Sequence, residues 1–129
     1  MSKENVEAAR RWVELFNDPS DVDEFLSLLD PAVEMQTPAG ARLRGQAEVR
    51  RWYQDDYHHV RPRIIPDRFV GEGDVVVGLG ALELTWAESG ETVHQGESAG
   101  VYWFRDGKII RWQPFETHAA ALEAAGLRE

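Results

Sequence analysis

Val6, Ala9, Val13 and Phe16 recur at helical spacing, with Trp12 beside them, so the chain is predicted to open with an amphipathic helix. Asn17-Asp18-Pro19-Ser20 interrupts it. Asp21-Val22-Asp23-Glu24 then reads as a capping box, and Val22, Phe25, Leu26 and Leu29 line one face of a second helix that Pro31 would end. Residues 33–37 alternate as a short strand does, and Pro38-Ala39-Gly40 turns out of it. After Gly45 a third helix gathers Val49, Trp52, Tyr53 and Tyr57 on one side. It would end at His58-His59, where the helix dipole favours a cation.

From Arg61 the period becomes two. Residues 61–71 contain Pro62 and Pro66, which cannot donate to a ladder and so suit an edge strand. Residues 74–86 and 92–104 flank a hairpin loop at 87–91, and residues 108–115 follow a turn at Arg105-Asp106-Gly107. Thr117 would cap a short alanine-rich helix over 118–125, stopped by Gly126. The pattern predicts an α+β domain spanning 1–129: helices first, an antiparallel four-stranded meander, then one terminal helix.

The stretch VHQGESAGVYWF (93–104) raises a packing question. Centring the first hairpin on Ser89 sets Leu84 opposite His94, Leu82 opposite Gly96, Gly80 opposite Ser98 and Gly78 opposite Gly100. All share one face, and the small residues among them make a shallow depression. A three-residue loop at 105–107 sends Ile110, Trp112, Pro114 and Glu116 to that face. Trp112 then stands opposite Gly100, Pro114 opposite Ser98 and Glu116 opposite Gly96. A two-residue Asp106-Gly107 turn would send Arg111 and Gln113 there instead, because one residue of slip flips every side chain. The three-residue loop is preferred, since it buries Ile110 and Trp112. Two readings of the depression stay open: it accommodates the Trp112 indole, or it is a ligand cavity.

Composition narrows the function classes. A formal charge of −9 with no basic run argues against nucleic acid and anionic membrane surfaces as partners. With no cysteine, disulfides, thiolate nucleophiles and thiolate metal sites are excluded. No apolar run approaches the length of a membrane span, and a cytoplasmic protein is expected. There is no metal-binding spacing, no nucleophile elbow and no phosphate loop, so neither a metal nor a cofactor is expected.

Several stretches resemble the SnoaL-like branch of the cone-shaped nuclear-transport-factor-like fold. They are Phe16-Asn17-Asp18, Leu29-Asp30-Pro31-Ala32-Val33-Glu34, Leu43-Arg44-Gly45, Trp103-Phe104-Arg105-Asp106-Gly107-Lys108-Ile109 and Ala121-Leu122-Glu123-Ala124-Ala125-Gly126-Leu127. The resemblance implies a cone with a pocket between sheet and helices. It does not select a reaction, since isomerases, cyclases, epoxide hydrolases, dehydratases and non-enzymatic domains share this scaffold. The functional groups of the related ketosteroid isomerases are missing. Thr37 falls at the base position, Trp12 at the oxyanion tyrosine and Gly100 at the protonated aspartate, which argues against steroid isomerisation by that mechanism. Tyr53 matches a second tyrosine of those enzymes. Polyketide cyclases of the SnoaL type place a carboxylate near the end of the last strand, and Trp112-Gln113-Pro114-Phe115-Glu116 resembles that pattern with Glu for Asp. The epoxide-hydrolase type would need two carboxylates bridged by an inward arginine, and only one inward carboxylate is expected.

Glu116 is therefore the candidate base, and His94, diagonal to it across the strands, is either the other half of a proton-transfer pair or a solvated histidine at the hairpin end, the reading its position favours. Apolar neighbours would raise the Glu116 pKa, while the amides of the last helix would favour its anion; a role in capping that helix is the competing reading. Trp12, Met35, Thr37, Tyr53, Leu82, Ser98, Gly100, Tyr102, Trp112 and Pro114 are the candidate pocket wall, suited to a flat, mostly apolar small molecule. Trp12 reads rather as ordinary core. The expected function is a cofactor-independent acid/base enzyme (isomerase, cyclase or dehydratase), with His94 or Tyr53 as orienter or acid. The alternative is a non-catalytic ligand-binding or dimerisation module. Val75, Val77, Leu79, Val101 and Trp103 on the outward face would leave an apolar patch, from which, with the resemblance, a homodimer is expected.

Overall fold

The computed structural model of the chain describes residues 2–38, 40–54 and 60–128. Its elements run α1 (Ser2–Asn17), α2 (Val22–Ser27), β1 (Leu29–Gln36), β2 (Arg42–Arg44), α3 (Gly45–Gln54), β3 (Val60–Glu72), β4 (Val75–Trp86), β5 (Thr92–Arg105), β6 (Lys108–Phe115) and α4 (His118–Ala125). The expected meander β3-β4-β5-β6 is present, but the sheet has six strands, ordered β2-β1-β6-β5-β4-β3. β1 runs parallel to β6 and antiparallel to β2. β2 holds three residues, too few for alternation to show. β3 lies at the edge, as Pro62 and Pro66 require. Tyr57, the His58-His59 helix end and Ala39 of the expected turn lie outside the described residues.

Two boundaries depart from the sequence pattern. α2 stops at Ser27, and Leu28 caps it through backbone bonds to Leu26 and Phe25. Leu29, expected on the helix, instead starts β1 opposite Ile109 and is buried. Pro31 disfavours helix at the residue before it, and its missing N–H is tolerated where the β1–β6 register shifts, between Leu29 and Glu34. The second departure is at the last turn. Arg105 pairs with Lys108 across a two-residue turn in which Asp106 (φ 52°) and Gly107 (φ 79°) are both left-handed, the type I′ geometry. That turn alone would flip β6. A bulge at Ile110 restores the face, so Trp112 and Pro114 still point inward, while Ile109 rather than Ile110 enters the core. The cost is a two-residue shift: Trp112 pairs with Tyr102 and Pro114 with Gly100.

The concave face packs on α1, α2 and α3 through aromatics. Trp12 is fully buried, 4.7 Å from the Trp112 ring centre, 4.9 Å from Phe16 and 5.3 Å edge-on to Tyr102. Two polar side chains fix α1 to the β3 side of the sheet. Asn17 at the end of α1 donates to the Ile64 carbonyl and accepts from its N–H, both at 2.8 Å, replacing ladder partners that an edge strand lacks. Asn5 donates to the Gly73 carbonyl at 3.1 Å.

The convex face corrects the argument for an exposed apolar patch. Val77, Leu79 and Val101 are fully buried beneath α4, whose Ala121 is buried and whose Leu122 and Ala125 pack against the same cluster. Only Val75 and Trp103 of the expected patch stay half-buried, and the Arg111 guanidinium stacks 4.6 Å over the Trp103 ring. No helix among the described residues is long and apolar enough to cross a membrane.

Burial pushes the Tyr53 hydroxyl up to about 12, with Asp18, Asp21 and Glu24 adding to the effect, and raises Tyr102 further. Both folded values lie above those of the unfolded chain. The stability they represent is thus complete below about pH 10 and is lost as pH climbs towards and through the folded values. Denaturant midpoints are expected to fall between pH 9.5 and 11.5, and Tyr53→Phe should lose less over that interval than wild type. A midpoint unchanged across it would contradict this assignment.

Candidate functional site

The small residues of β4 and β5 pair as the hairpin arithmetic requires: Gly78 with Gly100, Gly80 with Ser98, Leu82 with Gly96 and Leu84 with His94. Their space is used in two different ways. At one end it is filled. A Cβ on Gly100 would lie 2.7 Å from Trp112 Nε1, one on Gly78 would lie 3.1 Å from the Phe69 ring, and one on Gly80 would meet the Ile65 carbonyl oxygen at 2.1 Å. Only a cavity of about 20 Å³ remains there, room for one water-sized group, walled by residues that include Gly100, Tyr102 and Trp112.

At the other end the face is open. A Cβ on Gly96 would meet nothing closer than the His94 ring at 3.7 Å. Here a basin of about 640 Å³ opens, within the range of small-molecule sites. Its apolar wall comes from Pro38, Leu82, Leu84, Pro114 and Phe115. Gln36, Thr37, His94, Glu97, Ser98, Glu116 and Thr117 supply polar groups. Pro38, Leu82, Ser98 and Pro114 line both spaces, so the small cavity lies directly behind the basin.

The sequence candidates divide accordingly. Thr37, Leu82, His94, Ser98, Pro114 and Glu116 lie on the basin, and Gly100, Tyr102 and Trp112 on the inner cavity. Trp12, Met35 and Tyr53 line neither. Trp12 and Met35 are core residues. Tyr53 stacks on Phe25 at 4.4 Å and donates its hydroxyl to the Leu15 carbonyl at 2.7 Å, so it is committed to holding α3 against α1 and is not the acid of a site. Thr37 is buried, its hydroxyl accepting from Ala41 N–H at 3.0 Å, and so closes the β1–β2 turn.

Glu116 follows the last ladder pair, Phe115 with Ala99, and so stands level with Ser98 rather than Gly96. It is exposed, not enclosed by apolar side chains as expected. It does not cap α4 either. Thr117 is the N-cap, accepting from Ala120 N–H at 3.1 Å, and Glu97 accepts from the His118 N–H at 2.7 Å. His94 is exposed as well, and no hydrogen bond or ion pair joins it to Glu116 among the described residues. Both carry their polar groups to the same basin, His94 from β5 and Glu116 from just past the end of β6. Glu97 is the residue that alternation misses. Period two puts it on the opposite face from His94 and Ser98, but the first amide of α4 draws its carboxylate to the rim. An unpaired helix N-terminus after Thr117 was the available signal. The basin has two carboxylates, Glu97 and Glu116, and no arginine. Among the described residues, no group of three or more metal-binding side chains occurs.

Comparison with known proteins agrees with the fold. Residues 9–112 match the SnoaL-like domain family. No curated protein matches the chain. Among solved structures, an NTF2-like protein from Burkholderia xenovorans is 18% identical, with 97% of this chain and 98% of that one covered and a TM-score of 0.76. An LEH-like epoxide hydrolase from M. tuberculosis is 17% identical over 96% of this chain and 90% of its own, TM-score 0.77. TerC, co-crystallised with polyporic acid, is 25% identical over 95% and 98%, TM-score 0.73. The first two likenesses speak for the fold alone. A family match running from Ala9 to Trp112, on a cone of helices packed against a curved six-stranded sheet, makes this chain a member of the SnoaL-like domain family.

Proposed function

We propose that the basin binds a small, mostly apolar organic molecule and that Glu116 acts on it as a general base, with His94 as the partnering acid. The observation that carries this reading is the basin itself: about 640 Å³, apolar along β4 and β6, with ionisable groups only at its rim. A carboxylate there can take a proton from a carbon acid and return it to the same or a neighbouring atom, which needs no cofactor. Isomerisation, cyclisation and dehydration all reduce to such transfers. The co-crystallisation of TerC with polyporic acid supports a small organic ligand for this chain too.

A second reading, a non-catalytic ligand-binding module, is favoured by one observation. His94 and Glu116 are exposed and unjoined, which leaves neither held in a fixed geometry. 2-Tetralone, a flat bicyclic ketone with acidic α-protons, separates the two. In D₂O a proton-transfer site accelerates deuterium incorporation at its α-carbons, read by NMR, whereas a binding module takes up the ketone without accelerating exchange. For a homodimer, only Val75 and Trp103 of the expected outward patch remain half-buried as apolar support.

A further inference from the structure

Trp86, near the tip of the β4–β5 hairpin, has no part in the core or in the basin wall. It is 49% exposed, whereas Trp12, Trp52 and Trp112 are buried and Trp103 lies half-buried under Arg111. Single exposed apolar side chains are ordinary, and Ile65 and Val93 are of that kind. Ile65 pairs with Ala81, which alternation turns away from the basin face, and Val93 is the extra residue where the β4–β5 register shifts. Trp86 differs in its position. On β4 it follows Leu82 and Leu84 at period two, and both of those line the basin. It therefore continues the apolar wall one step outward, about 6.5 Å along the strand from Leu84. Its backbone is held on the hairpin side, where Trp86 N–H donates to the Glu91 carbonyl at 2.9 Å and the Trp86 carbonyl accepts from Gly90 N–H at 2.8 Å. On the other side it pairs with Val60 of β3.

The inner end of the same face is closed. The Trp112 indole occupies the space over Gly100, and only about 20 Å³ remains beside it. A long ligand on this face thus extends outward, along the row that ends in Trp86. The site sets the same direction. Glu116 stands level with Ser98, while Leu84 and His94 form the outermost pair that lines the basin. A molecule with its reacting atoms at Glu116 has its far end at that pair, one step from Trp86. We propose that Trp86 is an outer subsite, a platform for a second aromatic ring of the ligand. The ligand class is accordingly an elongated one, with a flat apolar head in the basin and an aryl group on a short linker. Indole and aryl rings prefer offset or edge-on contact and gain more from it than from the buried area alone. A platform already fixed by the hairpin backbone also loses little freedom when the ligand arrives. This inference rests on the reading of the basin as a ligand site.

Calorimetric titration of 2-tetralone, 6-benzyloxy-2-tetralone and 6-cyclohexylmethoxy-2-tetralone tests it. The 6-position lies at the far end of the bicycle from the ketone, so its substituent is carried outward. Wild type is expected to bind the benzyloxy compound about tenfold tighter than 2-tetralone and about threefold tighter than its saturated counterpart. Trp86→Ala should reduce the first ratio to about twofold and abolish the second, with 2-tetralone itself bound as before. Trp86→Phe should keep most of both ratios. Both variants should fold, since the side chain they change is exposed. In wild-type protein the benzyloxy compound should shield the exposed tryptophan from acrylamide quenching, and 2-tetralone should not. Equal affinity of wild type for the benzyloxy compound and 2-tetralone would overturn the subsite and leave the basin reading standing. Failure of all three compounds to bind would overturn both. A tenfold preference that survives in Trp86→Ala, or undiminished quenching in the benzyloxy complex, would remove Trp86 from the site. A saturated compound bound as tightly as the benzyloxy one would overturn the aromatic ligand class.

Discussion

Gly80→Ala is expected to destabilise the protein by about 3 kcal/mol or more, at the upper end of what overpacking costs. An alanine Cβ at that position would stand 2.1 Å from the Ile65 carbonyl oxygen and 3.0 Å from the Ile65 carbonyl carbon and Pro66 Cα. All three are backbone atoms of β3, beside the bulge between Pro66 and Arg68. No rotamer change relieves such a contact. Either the β3–β4 ladder parts or the bulge is lost. Gly100→Ala should cost less, about 1–2 kcal/mol, because its obstacle is a side chain, the Trp112 indole at 2.7 Å, although one set in a packed aromatic core. Gly96→Ala should be neutral or stabilising by about 0.5 kcal/mol, since its nearest neighbour stands at 3.7 Å and alanine restricts the unfolded chain. Urea midpoints order the three. A Gly80→Ala variant as stable as wild type would contradict the close approach of β3.

That ordering shows which features were legible before the structure. The β4–β5 register follows from one hairpin and its alternation, and it holds over every pair from Gly78–Gly100 to Leu84–His94. The cluster of small residues marked the depression for the same reason. Its division into a filled end and an open end could not be read from β4 and β5, because Phe69 and Ile65 fill it from β3 and Trp112 from β6. The β6 register failed for a local reason. Asp106-Gly107 is a strong type I′ signal, and the pattern that argued against it, an inward Trp112, is satisfied by a bulge that leaves no mark in the alternation. The outward face of Val77, Leu79 and Val101 was correctly apolar. Its cover is α4, whose alanines give little hydrophobic period to align with the sheet. Core and pocket also look alike in sequence. Tyr53 and Tyr102 are both inward aromatics, but only the hydroxyl of Tyr53 finds a backbone carbonyl.

Glu116→Gln is expected to lower the rate of deuterium exchange into 2-tetralone by about 10²-fold, the usual contribution of a positioned general base. The amide keeps the shape of the carboxylate and cannot accept the α-proton. Glu116 is exposed and forms no ion pair among the described residues, so the urea midpoint should stay within error of wild type. Affinity for the ketone should change by about twofold or less, because the apolar wall and not the rim supplies binding. Glu97→Gln is the internal control. Its carboxylate is engaged with the His118 amide, so that variant should weaken the start of α4 with little effect on exchange. Loss of exchange in Glu97→Gln and not in Glu116→Gln would transfer the role of base to Glu97.

The central claim is that the open end of the sheet face, and no other part of the molecule, receives the ligand. Gly96→Leu addresses it directly. Its side chain would extend from β5 into the basin, past a backbone position with no close neighbour, so the fold should hold. Titration of 2-tetralone against wild type and Gly96→Leu, each shown to unfold cooperatively at a similar midpoint, is the deciding measurement. At least a tenfold loss of affinity in the variant is the predicted result. Equal affinity in a folded Gly96→Leu protein would place the ligand elsewhere and contradict the account.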